Sequence, residues 1–428
     1  MNNSLHNDSH ALPRPSVLGL QPSFGFGDRL GLATPGHILA CKRGRLVPIF
    51  AQQSIREMTR TQRTPDEVMH AAQNALQQHD WNAPWGADAD HLKTRDDVVL
   101  MANAGFTFFT IDPSEYVDNR ADEYSQSQLE ASLDDAVQFG AWQSKQQVEE
   151  LYLKTSFEVS DNLTLRFERE NLLRAVAKYG KAIHYSQQMA AWIAEANAGR
   201  ACEIEISVDE TDTPTSPLEH LFIGLELQRR GVRVVSLAPR FVGEFEKGID
   251  YKGDIAAFES ALKQHVAIAR HCGPYKISVH SGSDKFAIYP SIGRICGDLL
   301  HVKTAGTSYL EALRVAARQA PQLFLEILTY SRERFEEDRA SYHISAQLSR
   351  LKNPADLDQR QREQEFLDAN DGRQMLHVTF GSVLTKGHLA NGQSFKEALL
   401  QTLRENSDLH DQFLAEHLGR HIDLLSVG

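Results

Sequence analysis

The feature that most restricts the fold of this 428-residue chain is a rhythm: short β-branched or apolar runs recur along it, most of them separated by long stretches of helical period. Eight such runs read as strands, at residues 24–32, 47–51, 106–112, 202–209, 233–239, 276–281, 299–303 and 376–381. Strands alternating with helices imply a parallel sheet, and eight units predict a closed (β/α)₈ TIM-type barrel with long helical insertions. The alternative is an open, doubly wound sheet. Several helix starts are explicit. Thr64-Pro65-Asp66-Glu67 and Ser216-Pro217-Leu218-Glu219 each supply a capping hydroxyl, a first-turn proline and a glutamate three residues after the cap. Gly231 should stop the second of these helices. A long helix is expected over 163–198, with Gly180 as a candidate break, and a closing helix over 394–417. The expected organisation is a flexible polar tail at 1–20, then one catalytic domain over 21–428. Insertions at about 113–200 and 323–373 are expected to form walls or a lid.

Alternation along a strand sends successive side chains to opposite faces. In 203–209 the apolar set must face the helices, which turns Glu203, Glu205, Ser207 and Asp209 toward the barrel axis. The same reasoning points Thr110, Asp112, Lys276, Ser278, His280, His301, Lys303, His377 and Thr379 inward. A barrel that only packed would fill its axis with Val, Ile and Leu. Charged groups gathered there must pair, bind metal or meet a polar ligand, because unpaired burial is costly. The loops that follow, at 209–212, 280–285 and 303–308, are dense in small, hydroxyl and ionisable residues, which suits a polyol.

His280 and His301 with Asp209 form a candidate divalent-metal set, and imidazole with carboxylate suits Zn, Mn, Co or Ni. Asp112 and Glu210 are candidates for general acid–base work, and Lys303 for neutralising a developing enolate. Arg29, Arg240, Lys285 and Arg294 are candidates for an anionic substrate, with Ser283 and Thr304 as hydroxyl partners. Gly25, Gly27 and Gly31 are spaced wrongly for a dinucleotide fingerprint and predict a tight wall of the site instead.

The remaining composition narrows the partners. Acidic residues number 57 against 45 basic ones, a net charge of −12 that works against nucleic acid or an anionic membrane. No run approaches eighteen apolar residues, and 1–16 has no apolar core of the kind a secretory signal needs, so the expected address is cytoplasmic. Cys41, Cys202, Cys272 and Cys296 lack CxxC spacing and read as reduced, packed thiols. The expected partner is a small sugar acid, and self-association is left open.

Five longer stretches combine into a family resemblance: SFGFGDRLGLATPGH at 23–37, VDETDTPT at 208–215, HSGSDKF at 280–286, KTAGTS at 303–308 and RFEEDR at 334–339. Together they resemble the tagaturonate epimerase family. The resemblance implies a metal-dependent isomerase that interconverts D-tagaturonate and D-fructuronate in hexuronate catabolism, with related activity on fructose and tagatose. Such a reaction inverts a carbon one bond beyond the ketone's own α-carbon, where simple enolisation does not acidify the C–H bond. Retro-aldol cleavage and re-addition, or direct deprotonation and reprotonation, are the two economical routes. An aldolase or aldose–ketose isomerase acting on a related sugar is the alternative reading of the same residues.

Overall fold

The computed structural model describes residues 12–426. Eight parallel strands close into a barrel: β1 (Ser23–Gly27), β2 (Val47–Ser54), β3 (Gly86–Leu92), β4 (Phe108–Ile111), β7 (Glu203–Val208), β8 (Ser236–Pro239), β9 (Lys276–Val279) and β10 (Leu300–Thr304). The remaining two strands, β5 (Ser156–Ser160) and β6 (Leu163–Arg166), pair as an antiparallel hairpin outside the barrel. The barrel order is β1-β10-β9-β8-β7-β4-β3-β2, and β1 pairs with both β2 and β10 to complete the circle.

Seven of the eight expected runs coincide with barrel strands. The eighth does not: 376–381 lies inside the helix Asn370–Lys386. Leu376, His377, Val378, Thr379 and Phe380 are all buried, and a segment buried on every side carries no helical stripe to separate it from a strand. The eighth strand is β3, whose Gly86-Ala87-Asp88-Ala89-Asp90 alternates alanine with aspartate. Alanine is too weakly apolar to mark a strand, although the period of two is intact.

Capping chemistry sets the helix ends. Thr64 with Glu67, Ser216 with Glu219 and Ser394 with Glu397 form reciprocal capping boxes. Gly231 follows the helix Pro217–Arg229 at φ +71°. Gly180 does not break the helix Arg169–Asn197; a Cβ there would lie 2.9 Å from the Trp142 ring, so glycine serves a close crossing. The expected closing helix is two, Phe395–Glu405 and Ser407–Leu425.

One apolar cluster fills the space between the barrel and its helices. A second, including Leu310, Phe324, Leu328, Phe335, Phe380 and Leu399, joins the 307–405 helices into a further packed layer. That layer carries the 323–373 insertion, and its Ser341, Tyr342 and His343 line the cavity at the barrel mouth. Of the tail expected at 1–20, residues 1–11 lie outside the described residues. Farther along, Leu18 is buried, Ser16 N donates to Trp85 O, and Gly19 N donates to the Glu203 carboxylate. Among the described residues, no helix is long and apolar enough to cross a membrane. The four cysteines are unpaired, three of them buried.

Candidate active site

Polar groups line the barrel axis from floor to mouth, interrupted by the Phe108 ring, which clusters with Leu18 and Ile49 and packs against His301. At the floor, Ser23 Oγ is hydrogen-bonded to His301 Nδ1 at 2.9 Å and accepts from Lys276 Nζ at 3.0 Å. One layer higher, Lys303 Nζ lies 2.7 Å from Asp88 Oδ2 and 2.8 Å from both Asp90 Oδ1 and Glu205 Oε1. It also donates to Thr110 Oγ1 at 2.6 Å. Three carboxylates hold this ammonium well above its ordinary pKa against the effect of burial, so it stays charged. An ammonium held by three carboxylates is poorly suited to act as a Schiff-base nucleophile.

At the C-terminal end of the strands, His91, Asp209 and His280 bring one ligand atom each to within 4.8 Å of one another. His280 Nε2 is 2.8 Å from Glu205 Oε1, and His91 Nδ1 is 2.8 Å from Asp90 Oδ1. Each ring therefore has one nitrogen engaged by a carboxylate. His280 Nδ1 is buried, 3.2 Å from Asp209 Oδ1, and lacks a hydrogen-bond partner. Burial disfavours the imidazolium, but Asp209 and Glu205 together push the His280 pKa up to about 10. His280 and Ser207 beside it hold the Asp209 carboxyl well below the usual range despite its burial. His91 sits at φ +54°, an uncommon conformation for a residue with a side chain, and one that collects at functional sites.

These features fit a divalent cation. Imidazoles oriented by carboxylates, with their other nitrogens turned to a shared carboxylate, are the usual surroundings of a bound metal. Zinc and its neighbours accept such a donor set, and three protein ligands leave a position for substrate.

Above the cluster opens a cavity of about 730 Å³, also lined by Asp112, Glu210, Arg56, Arg240, Lys247, Ser283, Lys303 and His377. Most of the expected residues thus meet at one mouth, but four do not. His301 stays on the barrel floor, and His91, from the strand that the sequence hid, completes the cluster instead. Lys285 is buried and donates to the carbonyls of Glu246, Ile249 and Ser283, with burial pushing its pKa down to about 7. Thr304 falls on the outer face of β10 and donates to Gly25 O at 2.7 Å. Arg294 pairs with Glu259 at 2.7 Å on the helical surface. Arg29 borders the cavity, yet its guanidinium is committed to Glu57 at 2.9 Å, to His377 O, and to the Phe380 ring 3.6 Å beneath it. His377, expected on a strand, enters the site from a helix. Asp90 and His91 were legible only as an alternation; Arg56 and Lys247 carried no sequence signal.

The tight wall expected from the early glycines is real. A Cβ on Gly25 would lie 1.6 Å from Gln52 Oε1, so glycine lets Gln52 cross beneath β1 and donate to Thr304 O at 2.9 Å.

The family model described as tagaturonate epimerase matches residues 2–425. A tagaturonate/fructuronate epimerase from Thermotoga maritima is 44% identical over 412 residues, covering 96% of this chain and 82% of its own. The glycerol-complexed and native crystal structures of a fructuronate-tagaturonate epimerase from Cohnella laeviribosi each superpose with a TM-score of 0.88 at 39% identity. Each match covers 96% of this chain and 83% of the other. The chain belongs to the tagaturonate epimerase family, enzymes of the isomerase class.

Proposed function

We propose that the protein interconverts D-tagaturonate and D-fructuronate by breaking and remaking the bond between C3 and C4 of the ketose, with a divalent ion held by His91, Asp209 and His280. The observation that carries this reading is the cluster of two carboxylate-backed imidazoles and one carboxylate at the mouth of a polar barrel. A divalent ion there would supply Lewis acidity to the ketone and ease the negative charge that develops beside it.

The chain's own groups account for the rest. Asp112, 3% exposed and lining the cavity, is tethered through Ser114 N and stands 3.4 Å from Lys93. It is placed to take the C4 hydroxyl proton as the C3–C4 electron pair moves into the C2–C3 enediolate and C4 becomes an aldehyde. The aldehyde turns its other face, the bond re-forms with inversion, and the proton returns to the C4 oxygen. Glu210 at the rim is the second acid able to exchange that proton. The Lys303 ammonium lies at the bottom of the cavity, where positive charge favours the enediolate. The lid residues Tyr342 and His343 close over the fragments and hinder their escape.

The test is tagaturonate turnover in deuterated water followed by proton NMR, with and without exhaustive chelation. Fructuronate should appear without deuterium at C4, cease to form on chelation, and form again on adding Zn, Mn, Co or Ni. Deuterium at C4 would replace cleavage with proton abstraction, and full turnover by metal-free protein would remove the ion. Net release of three-carbon products in place of epimer would favour an aldolase.

A further inference from the structure

Six lysine and arginine side chains line the cavity, and four of them have an ion-pair partner. Arg29 meets Glu57, Lys93 meets Asp112, Arg240 meets Glu244, and Lys303 meets three carboxylates. The other two are Arg56, at the start of the helix Ile55–Thr61, and Lys247, in the loop after β8. Neither has an ion-pair partner among the described residues. Lys247 Nζ donates to Ser281 Oγ at 2.6 Å, and the Arg56 guanidinium stands 5.6 Å over the Tyr342 ring. Both feel the charge of Glu210 without pairing with it. The two are close enough to disfavour each other: burial, and then Arg56, holds the Lys247 ammonium below its ordinary value.

Arg56 is exposed at the cavity mouth and Lys247 is half-buried, so an anion entering the cavity meets two cations that no carboxylate pairs with among the described residues. Their position names the anion's place. Ser281, which anchors Lys247, directly follows His280, so the cationic pair flanks the imidazole cluster on the side facing the lid. A six-carbon sugar acid carries its carboxylate at the end opposite its ketone, and one such molecule bridges the two features. Guanidinium geometry matches a carboxylate through two parallel hydrogen bonds, and an ammonium adds a third contact.

We infer that Arg56 and Lys247 form the carboxylate clamp of the site, the pair that selects a uronate over the corresponding uncharged ketose. The inference rests on the epimerase reading above and deepens it. In the cleavage route the clamp has a further consequence: the carboxylate stays with the aldehyde fragment, so the clamp holds that fragment while its carbonyl turns about the adjoining bond.

The experiment compares D-fructuronate with D-fructose, which bears CH₂OH in place of the carboxylate. Fructose is assayed as substrate or, where its turnover is too slow, as a competitive inhibitor of fructuronate epimerisation. R56A and K247A should each lower the preference for fructuronate over fructose about 10- to 100-fold, mainly through KM for the uronate. R56K should recover part of that preference, because it restores the charge without the fork. A preference retained in both alanine variants, whether the two ligands weaken together or neither does, overturns the clamp alone. A wild-type protein that epimerises neither uronate overturns the underlying reading and the clamp with it.

Discussion

Asp90 Oδ1 lies 2.8 Å from His91 Nδ1 and 2.8 Å from Lys303 Nζ, so one carboxylate oxygen both orients a candidate metal ligand and joins it to the ion network at the barrel's centre. His91 thereby depends on a charge that sits outside the cluster itself. Asp90→Asn should weaken divalent-metal affinity about 10- to 100-fold. Metal titration of the purified variant, read by elemental analysis at limiting metal, checks this. Wild-type affinity in the variant would show that His91 does not serve as a ligand oriented by Asp90.

The two imidazoles His91 and His301 make opposite predictions. His91→Ala should lower metal content along with turnover. His301→Ala should leave metal content at the wild-type level, since His301 is bound to Ser23 on the floor. It should instead cost about 1–3 kcal/mol in stability, because Lys276 and Ser23 lose a buried neighbour. Denaturant unfolding paired with metal analysis separates the two.

Lys303→Met removes the only positive charge that, among the described residues, contacts Asp88, Asp90 and Glu205 together. Breaking a buried ion network from one side leaves uncompensated charge and should destabilise the fold by about 3–5 kcal/mol. A parallel check uses the wild-type protein: borohydride in the presence of substrate should trap no adduct on Lys303. A stable variant, or a trapped lysine, would contradict the role assigned to this ammonium.

Glu246 clips the lid to the barrel wall. Its Oε2 accepts from Ser345 N, Ser345 Oγ and Gln374 Nε2, and its Oε1 from Lys252 Nζ. Burial opposes ionisation, but these donors bring its pKa from 4.5 down to about 2. The folded pKa is depressed, so the stabilisation is complete above about pH 4.5 and is lost as pH falls toward 2. Glu246→Gln should melt below wild type at pH 6 by the equivalent of about 2 kcal/mol, with the gap narrowing below about pH 4.5 and closing only as pH falls to about 2. A gap that is constant with pH would refute the ionic origin of the clip.

Gly25→Ala tests the wall of the site. The added methyl would collide with Gln52, so it should cost about 1–3 kcal/mol and displace Gln52 from Thr304 O. An unchanged melting temperature would show that Gln52 moves aside freely.

Much of the barrel could be read from the chain because its signals are local. The capping boxes at Thr64, Ser216 and Ser394 need only four residues each, and the alternation through Glu203–Val208 points Glu205 inward whatever surrounds it. The same alternation set His280 and Lys303 on the axis and Asp209 at its mouth, where the structure has them. Where burial was uniform or the apolar residues were small, the signal failed: part of the helix Asn370–Lys386 reads as a strand, and strand β3 gives no reading.

Depth along the barrel axis was beyond local reading. His280 and His301 are both inward-facing histidines, but the stagger of neighbouring strands lifts one to the mouth and leaves the other on the floor. Which cations stay unpaired was likewise decided only by folding, since Arg29 and Arg294 meet carboxylates about thirty residues away while Arg56 and Lys247 have no ion-pair partner among the described residues. Side-chain direction is a property of a strand by itself. Height, pairing and enclosure are properties of the closed barrel, and they exist only once all eight strands are in register.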